Sequence, residues 1–307
     1  MIVVFFGTPE FAVPSLRALV GEGFDVRAVV TRPDQPQGRS RSTLVPPPVK
    51  VAALAEGLEI LQPERPTDPV LLNRLRQLAP DVGVVVAYGH LLKPELLAIP
   101  VRGMVNVHPS LLPALRGAAP VEWAILNGLE STGVSIIQLD AGMDSGPILH
   151  QLPHHIDPGT TGGELSEHLA EMGAQALIEG LALWERDGLK LVPQDHERAT
   201  FAPKLTREMA HIDWTRPADA IARQTLALDP RPGAWTELDG REIKLYAGSA
   251  VDGHGQPGVV IEADSRLLIA AGTGAVVVEA AQPAGKDRMP VGDWIRGRGV
   301  GVGQRFA

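Results

Sequence analysis

Residues 101–113 read VRGMVNVHPSLLP, an apolar run that ends on an amide, an imidazole and two prolines. Val101–Val107 has the texture of a buried strand, and Pro109 closes it. Earlier stretches have the same form. Met1–Phe6 is a run of Met, Ile, Val and Phe ending at Gly7, and Asp25–Val30 and Asp81–Ala87 are nearly continuous apolar strands. Helical patterns lie between them, one over Ala12–Val20 and one after Asp68-Pro69, where an N-cap acid and a first-turn proline open VLLNRLRQL. GAAPVEWAILNG reads as a helix, Ser131–Leu139 and Pro147–Ile156 as two more strands, and Gly163–Leu183 as a closing helix. Apolar strands alternating with helices predict α/β architecture: a Rossmann-like, doubly wound, mostly parallel sheet.

The texture changes further on. Asp187–Arg207 is polar, contains Pro193 and Pro203, and reads as a linker. Beyond it come five short strand-like runs: Trp235–Leu238, Glu242–Ala247, Gly258–Glu262, Leu267–Ala271 and Ala275–Ala280. Gly, Asp and Pro separate them, and Asp239-Gly240 is a hairpin signal. A small antiparallel barrel or sandwich is the expectation. The predicted division is residues 1–188, a linker over 189–208, and a second domain over 209–307, in keeping with a 307-residue chain.

Composition narrows the chemistry. Apolar residues make up 44% and charged residues 21%, which is ordinary globular usage. There is no cysteine, so thiolate catalysis, disulfides and Cys-type zinc sites are excluded. No apolar run reaches the ~18 residues of a membrane span, and MIVVFFGTPEF meets Glu10 without a basic start, so a cytoplasmic location is expected. The net charge of −8 argues against indiscriminate nucleic-acid binding. It is unevenly spread: residues 209–307 hold eleven Lys/Arg against twelve Asp/Glu. No acid falls between Asp34 and Glu56, where Arg39, Arg41 and Lys50 lie, and none follows Asp293, where Arg296, Arg298 and Arg305 lie. Those stretches read either as solvated surface or as two local anion-binding faces.

Several familiar motifs fail their context. The turn after the first strand is GTPEF, not GxGxxG, and the GVGVG run at 299–303 follows no strand-to-helix turn. His150, His154 and His155 read as packing or surface residues. Asn106 and His108 are different: residues two apart on a strand share a face, so amide and imidazole converge beyond the strand's carboxyl end, where open α/β sheets bind ligands. The Ser110-Leu111-Leu112-Pro113 loop could offer main-chain groups to a flat heterocycle with its leucines against the ring. The plainer reading is a capped strand end with leucines in the core. Asp140 and Asp144, in the Gly-rich turn of QLDAGMDSGPI, could bind a metal, act as a base, or simply stabilise the turn.

Taken together, NVHPSLLP, then RGAAP, then TGVSIIQLDAGMDSGPI resemble the formyltetrahydrofolate-dependent transformylase superfamily. FFGTPEFAVPSL, TRPDQPQGR with PPPVKVAA, VVVAYG, HIDW and DPRPGAWT extend the likeness to the branch acting on methionyl-initiator tRNA, over essentially the whole chain. The resemblance implies a formyltransferase fold followed by an OB-like β-barrel that binds tRNA. It implies that Asn106, His108 and Asp144 are the catalytic trio and Ser110, Leu111, Leu112 and Pro113 the folate loop, with Tyr88, Gly89 and Asp140 lining the rest of the pterin pocket. It makes 10-formyltetrahydrofolate the formyl donor, with no metal, and the 32–48 loop with Arg39, Arg41 and Lys50 a tRNA contact. A monomer is expected. The rivals are a transformylase for another amine, a formyltetrahydrofolate hydrolase, and a non-catalytic folate- or RNA-binding protein.

Chemically, Asn106 can donate to the oxyanion formed when a neutral amine attacks the formyl carbon. His108 can donate or move a proton, and Asp144 can hold the imidazole and raise its pKa. Loss of His108 or Asp144 is expected to cost at least about a hundredfold in turnover.

Overall fold

A computed structural model describes residues 1–37, 43–185 and 191–307. Arg39 and Arg41 lie outside the described residues. Contacts gather the chain into two units that do not follow chain order. One comprises residues 1–117, 132–154 and 166–201, the other residues 118–131, 155–165 and 202–307.

The first unit is built on seven strands: β1 (Ile2–Gly7), β2 (Asp25–Val30), β3 (Ile60–Leu61), β4 (Val82–Val86), β5 (Met104–His108), β6 (Ser131–Gln138) and β7 (Ile148–His155). Their order is β7-β6-β5-β4-β1-β2-β3. The run from β5 to β3 is parallel, and β6 pairs antiparallel to β5. β1 and β4 are buried on both faces, as apolar parallel strands must be when helices cover the sheet. On one face Val4, Phe6, Ala28, Val30 and Val85 meet Leu71, Leu72, Leu75 and Leu78 of the helix Pro69–Leu78. That helix starts as its sequence predicts: Pro69 is at its first position and the Asp68 carboxylate accepts from the Val70 N–H at 2.8 Å. The helix Gly162–Glu185 crosses close to β5 at Gly173, where a Cβ would lie 2.8 Å from Val107 Cγ1. The strand that carries Asn106 and His108 is thus pressed from behind by a helix that only glycine lets approach.

In the second unit, Ala234–Leu238 (β8), Arg241–Val251 (β9), Val260–Ala263 (β10), Leu267–Ala270 (β11) and Ala275–Pro283 (β12) form an antiparallel sheet in the order β8-β9-β12-β11-β10. The chain's last residues pair with both edges. Leu238 bridges Phe306, Val259 bridges Arg305, and the Glu237 and Ala307 backbones exchange hydrogen bonds at 3.1 and 2.9 Å. Edge strands that would present unpaired main chain are thereby closed. Phe306 is buried with Trp214 and Trp294 in the sheet's core. The strand reading omitted the helix Ala218–Ala227, which packs on β9 through Ile221 and Thr225. Its buried face is mostly alanine with Gln224 and Thr225, so few large apolar residues announce it.

Candidate active site

β5 ends at His108, opposite Ser135 of β6, with Asn106 opposite Ile137. Strand alternation gives Asn106 and His108 one face. His108 is 3% exposed. Its Nε2 lies 2.9 Å from the Leu115 carbonyl oxygen. A carbonyl can only accept, so Nε2 carries the hydrogen and Nδ1 of the neutral ring holds a lone pair. That lone pair faces Asp144 Oδ2 at 3.7 Å. Burial pushes the imidazole below its ordinary value, and the Asp144 charge and the Leu115 carbonyl offset this only in part. The expectation that Asp144 raises the imidazole pKa holds for its own contribution, and desolvation, the larger effect, sets the net direction. Asn106 is half-buried, and among the described residues its carboxamide has no hydrogen-bond partner.

Asp144 is brought here by its turn. Its φ of 48° is left-handed, a region Asp tolerates better than most residues. Two residues on, a Cβ at Gly146 would lie 1.8 Å from the Gln138 carbonyl oxygen, so the return strand can close tightly only over glycine. Asp144 Oδ2 accepts from the Gly117 N–H at 3.0 Å. Asp140 faces elsewhere: it is exposed, accepting from the Gly142 N–H and the Ser145 hydroxyl at 2.9 and 2.8 Å. Of the two acids, one stabilises the turn and the other meets the imidazole.

The 110–113 loop is more occupied than its sequence suggests. The Ser135 hydroxyl donates to the Ser110 carbonyl at 2.6 Å and accepts from the Leu112 N–H at 3.0 Å. Gln151 donates to the Leu112 carbonyl at 3.0 Å. Leu112 is buried and Leu111 half-buried. Main-chain groups at 110 and 112 are thus committed to holding the loop, and the Leu111 and Pro113 carbonyls accept from the Ala114 and Thr200 N–H groups at 3.1 and 3.3 Å, which leaves the Leu111 N–H and the Leu111 and Pro113 side chains for a ligand. Tyr88 is also turned inward. Its ring packs against Phe6 and burial drives the phenol up to about 12, while Gly89 is exposed. Lys50 stands in an ion pair, its Nζ 2.8 Å from both Asp34 oxygens. The three histidines serve separate partners: His150 pairs with Glu179 at 2.8 Å, His154 packs on His168, and His155 lies 3.8 Å from Asp157.

Sequence reasoning passed over Ser135, Arg116 and Gln194. Ser135 had a faint signal, a hydroxyl flanked on both sides by apolar residues within a strand. Gln194 had none, since it sits in a stretch whose polarity reads as solvent-exposed.

The arrangement belongs to a known class. A model of the formyl transferase family matches residues 1–181, and one of the formyl transferase C-terminal domain matches residues 204–299. A methionyl-tRNA formyltransferase of Chloroflexus aggregans is 45% identical over 97% of this chain and 97% of its own. The chain belongs to the formyl transferase family, in its methionyl-tRNA formyltransferase branch. Solved structures agree on the fold. HypX from Aquifex aeolicus in complex with tetrahydrofolic acid has a TM-score of 0.66 at 18% identity, covering 98% of this chain and 48% of its own. An N-formyltransferase from Helicobacter canadensis with folinic acid and dTDP-3-aminofucose has a TM-score of 0.70 at 17% identity, covering 92% of this chain and all of its own.

Proposed function

We propose that this chain transfers the formyl group of 10-formyltetrahydrofolate to the amino group of methionyl-initiator tRNA, with Asn106, His108 and Asp144 as its catalytic residues. The observation that carries the reading is the pairing of two acceptors. The His108 Nδ1 lone pair and Asp144 Oδ2 face each other across 3.7 Å with no hydrogen between them. An N–H donor placed there satisfies both, and a primary amine about to lose a proton is such a donor. Asn106 donates to the formyl oxygen as it gains charge, a role its unpartnered carboxamide leaves open. His108 Nδ1 accepts the proton released by the attacking nitrogen, Asp144 stabilises the imidazolium, and the proton returns to the departing folate nitrogen. No covalent enzyme intermediate is required, so a chain without cysteine loses nothing.

Residues 1–188 carry folate and chemistry in this reading, and residues 209–307 the nucleic acid. The 110–113 loop, Gly89 and the 140–144 turn border the pterin, with Tyr88 supporting that wall from within. Arg39 and Arg41 contact the acceptor end, while Lys50, held by Asp34, frames that loop. Among the C-terminal arginines, Arg296 pairs with Asp293 and Arg305 donates to the Pro257 carbonyl at 3.2 Å, which leaves exposed Arg298 the freest for phosphate. Among the described residues no helix is long and apolar enough to cross a membrane, and a cytoplasmic monomer is the setting proposed.

The test is formylation of charged initiator tRNA against charged elongator methionine tRNA, with formyltetrahydrofolate as donor. Preferential formylation of the initiator is expected; formate release without acceptor would mark a hydrolase instead. The affinity for tRNA should fall with salt along a straight log–log line, and a flat line would contradict phosphate contacts.

A further inference from the structure

Three consecutive residues hold both members of the His108–Asp144 pair. The Leu115 carbonyl takes the His108 Nε2 hydrogen at 2.9 Å, and the Gly117 N–H donates to Asp144 Oδ2 at 3.0 Å. Between them, the buried Arg116 side chain reaches back to a residue of the polar stretch that follows the closing helix. Arg116 Nε and Nη2 donate to Gln194 Oε1 at 3.1 and 2.6 Å. The two hydrogens of Gln194 Nε2 then go to the Asp144 and Gly146 carbonyls at 2.8 and 2.7 Å. Gln194 is 6% exposed, so all of its polar capacity here is spent inside the protein. The same stretch is fastened to the tripeptide at Thr200, whose hydroxyl accepts from the Leu115 N–H and whose carbonyl accepts from the Arg116 N–H, both at 2.9 Å.

We infer that Gln194 is a positioning residue of the transfer reaction: clamped by Arg116, it locks the left-handed turn that aims the Asp144 carboxylate at His108. This rests on the proposed role of the pair, and deepens it. Asp144 (φ 48°) and Leu115 (φ 59°) both hold conformations that L-residues adopt reluctantly, and such backbone persists where its surroundings over-determine it. Gln194 supplies that constraint from the far side of the turn, and it can do so only as an amide. It must accept two hydrogen bonds from a cation on one end and donate two to carbonyls on the other. Among the described residues Arg116 has no carboxylate on its guanidinium; its remaining side-chain contact among them is the His196 ring nitrogen Nδ1 at 3.0 Å, which must therefore present a lone pair. Glutamate at 194 would keep the volume and the Arg116 contact while setting an anion against two carbonyls, and methionine would keep the volume alone.

The experiment is steady-state kinetics of Gln194→Met and Gln194→Glu beside Asp144→Asn, with an NMR titration of His108 in each folded variant. Both Gln194 variants should lose at least about tenfold in kcat while KM for the folate donor and for tRNA stays within about threefold, because the clamp serves the acid and not either substrate. Their His108 midpoint should move downward, as the anion that partly offsets burial swings away from Asp144's present partners, Gly117 and the imidazole. Adding Gln194→Met to Asp144→Asn should cost almost nothing more. Thermal melting identifies any variant that fails to fold, and the glutamate variant, isosteric and polar, carries the test should the methionine variant be lost. A folded Gln194 variant with wild-type kcat, an unmoved His108 midpoint, or a loss that multiplies with that of Asp144→Asn overturns the inference. If Asp144→Asn is itself near wild-type, it is the proposed catalytic pair that fails, and not the clamp alone.

Discussion

Each unit sets an acid beside a basic side chain, and the two pairs are made differently. In the second unit, Asp229 takes both nitrogens of the Arg288 fork at 2.6 and 2.9 Å, and the guanidinium lies 4.2 Å over the Tyr246 ring. The pair is complete in itself. In the first unit, His108 and Asp144 stop at 3.7 Å, each tied elsewhere, with two acceptors turned toward one another. A bidentate ion pair leaves nothing for a ligand to add. Facing acceptors leave a place for a proton. Closed geometry marks the pair that holds the fold together, and open geometry marks the pair that is free to react.

The largest effect should come from breaking the open pair. Asp144→Asn keeps a residue that tolerates the left-handed turn, so the backbone has no reason to move. It replaces the anion that stabilises an imidazolium, and turnover should fall by at least about a hundredfold, with His108→Ala falling as far. Single-turnover formylation rates, with circular dichroism to check the fold, measure this; a rate near wild-type removes Asp144 from the chemistry. Breaking the closed pair should instead cost stability. Arg288→Ala strands an Asp229 side chain that is only 5% exposed, although Arg288 itself is 41% exposed. The discounted cost is ~3 kcal/mol, the lower end for one lost partner of a buried pair. It should appear as a lower denaturation midpoint at unchanged m-value. A midpoint equal to wild-type would mean that water replaces the guanidinium.

This contrast also separates what the sequence conveys from what it hides. Asn106 and His108 were legible because strand period alone puts them on one face at a carboxyl end, and the surrounding apolar strands announced the sheet. The Asp68-Pro69 helix start was legible for a similar reason, since a cap is local chemistry. Gln194 was not, because apolar patterning detects burial only when apolar residues do the burying. A glutamine buried by an arginine and two carbonyls looks like a linker residue until its partners, 78 and about 50 positions away, are known. The net direction of the His108 shift is hidden on the same ground. The Asp144 neighbour could be inferred from sequence, but the degree of burial that outweighs it is a property of the packed protein.

That shift gives a smaller effect with a definite sign. The folded-state pKa of His108 lies below its unfolded value of about 6.5, so the unfolded chain binds the proton more readily. This contribution to stability is whole above about pH 6.5 and declines as pH falls toward the folded-state pKa. NMR titration should place the midpoint below 6.5, and Asp144→Asn should lower it further, because the removed charge was raising it. A midpoint that rises in Asp144→Asn would mean that the carboxylate acts on the ring through some other group.

The smallest effect is expected at Lys50. Sequence alone puts this residue in a basic stretch free of acids, yet Asp34, at that stretch's boundary, closes on its ammonium at 2.8 Å. A Gln62 hydrogen bond and then Lys50 hold the Asp34 carboxyl below its usual range, so the acid is ionised and the cation compensated. Lys50 thus resembles Arg288 more than His108, being one half of a finished pair. A lysine that neutralises a phosphate contributes about 0.9 to the slope of log K against log salt for a duplex. Lys50→Ala should leave that slope unchanged and reduce tRNA affinity by less than about threefold, because a cation already closed on its own acid offers a phosphate little. Removing Asp34 as well, in Lys50→Ala with Asp34→Asn, should restore even that. A slope that falls by about one unit in the single variant would show that Lys50 leaves Asp34 for the nucleic acid, which would move this pair from the closed kind to the open one.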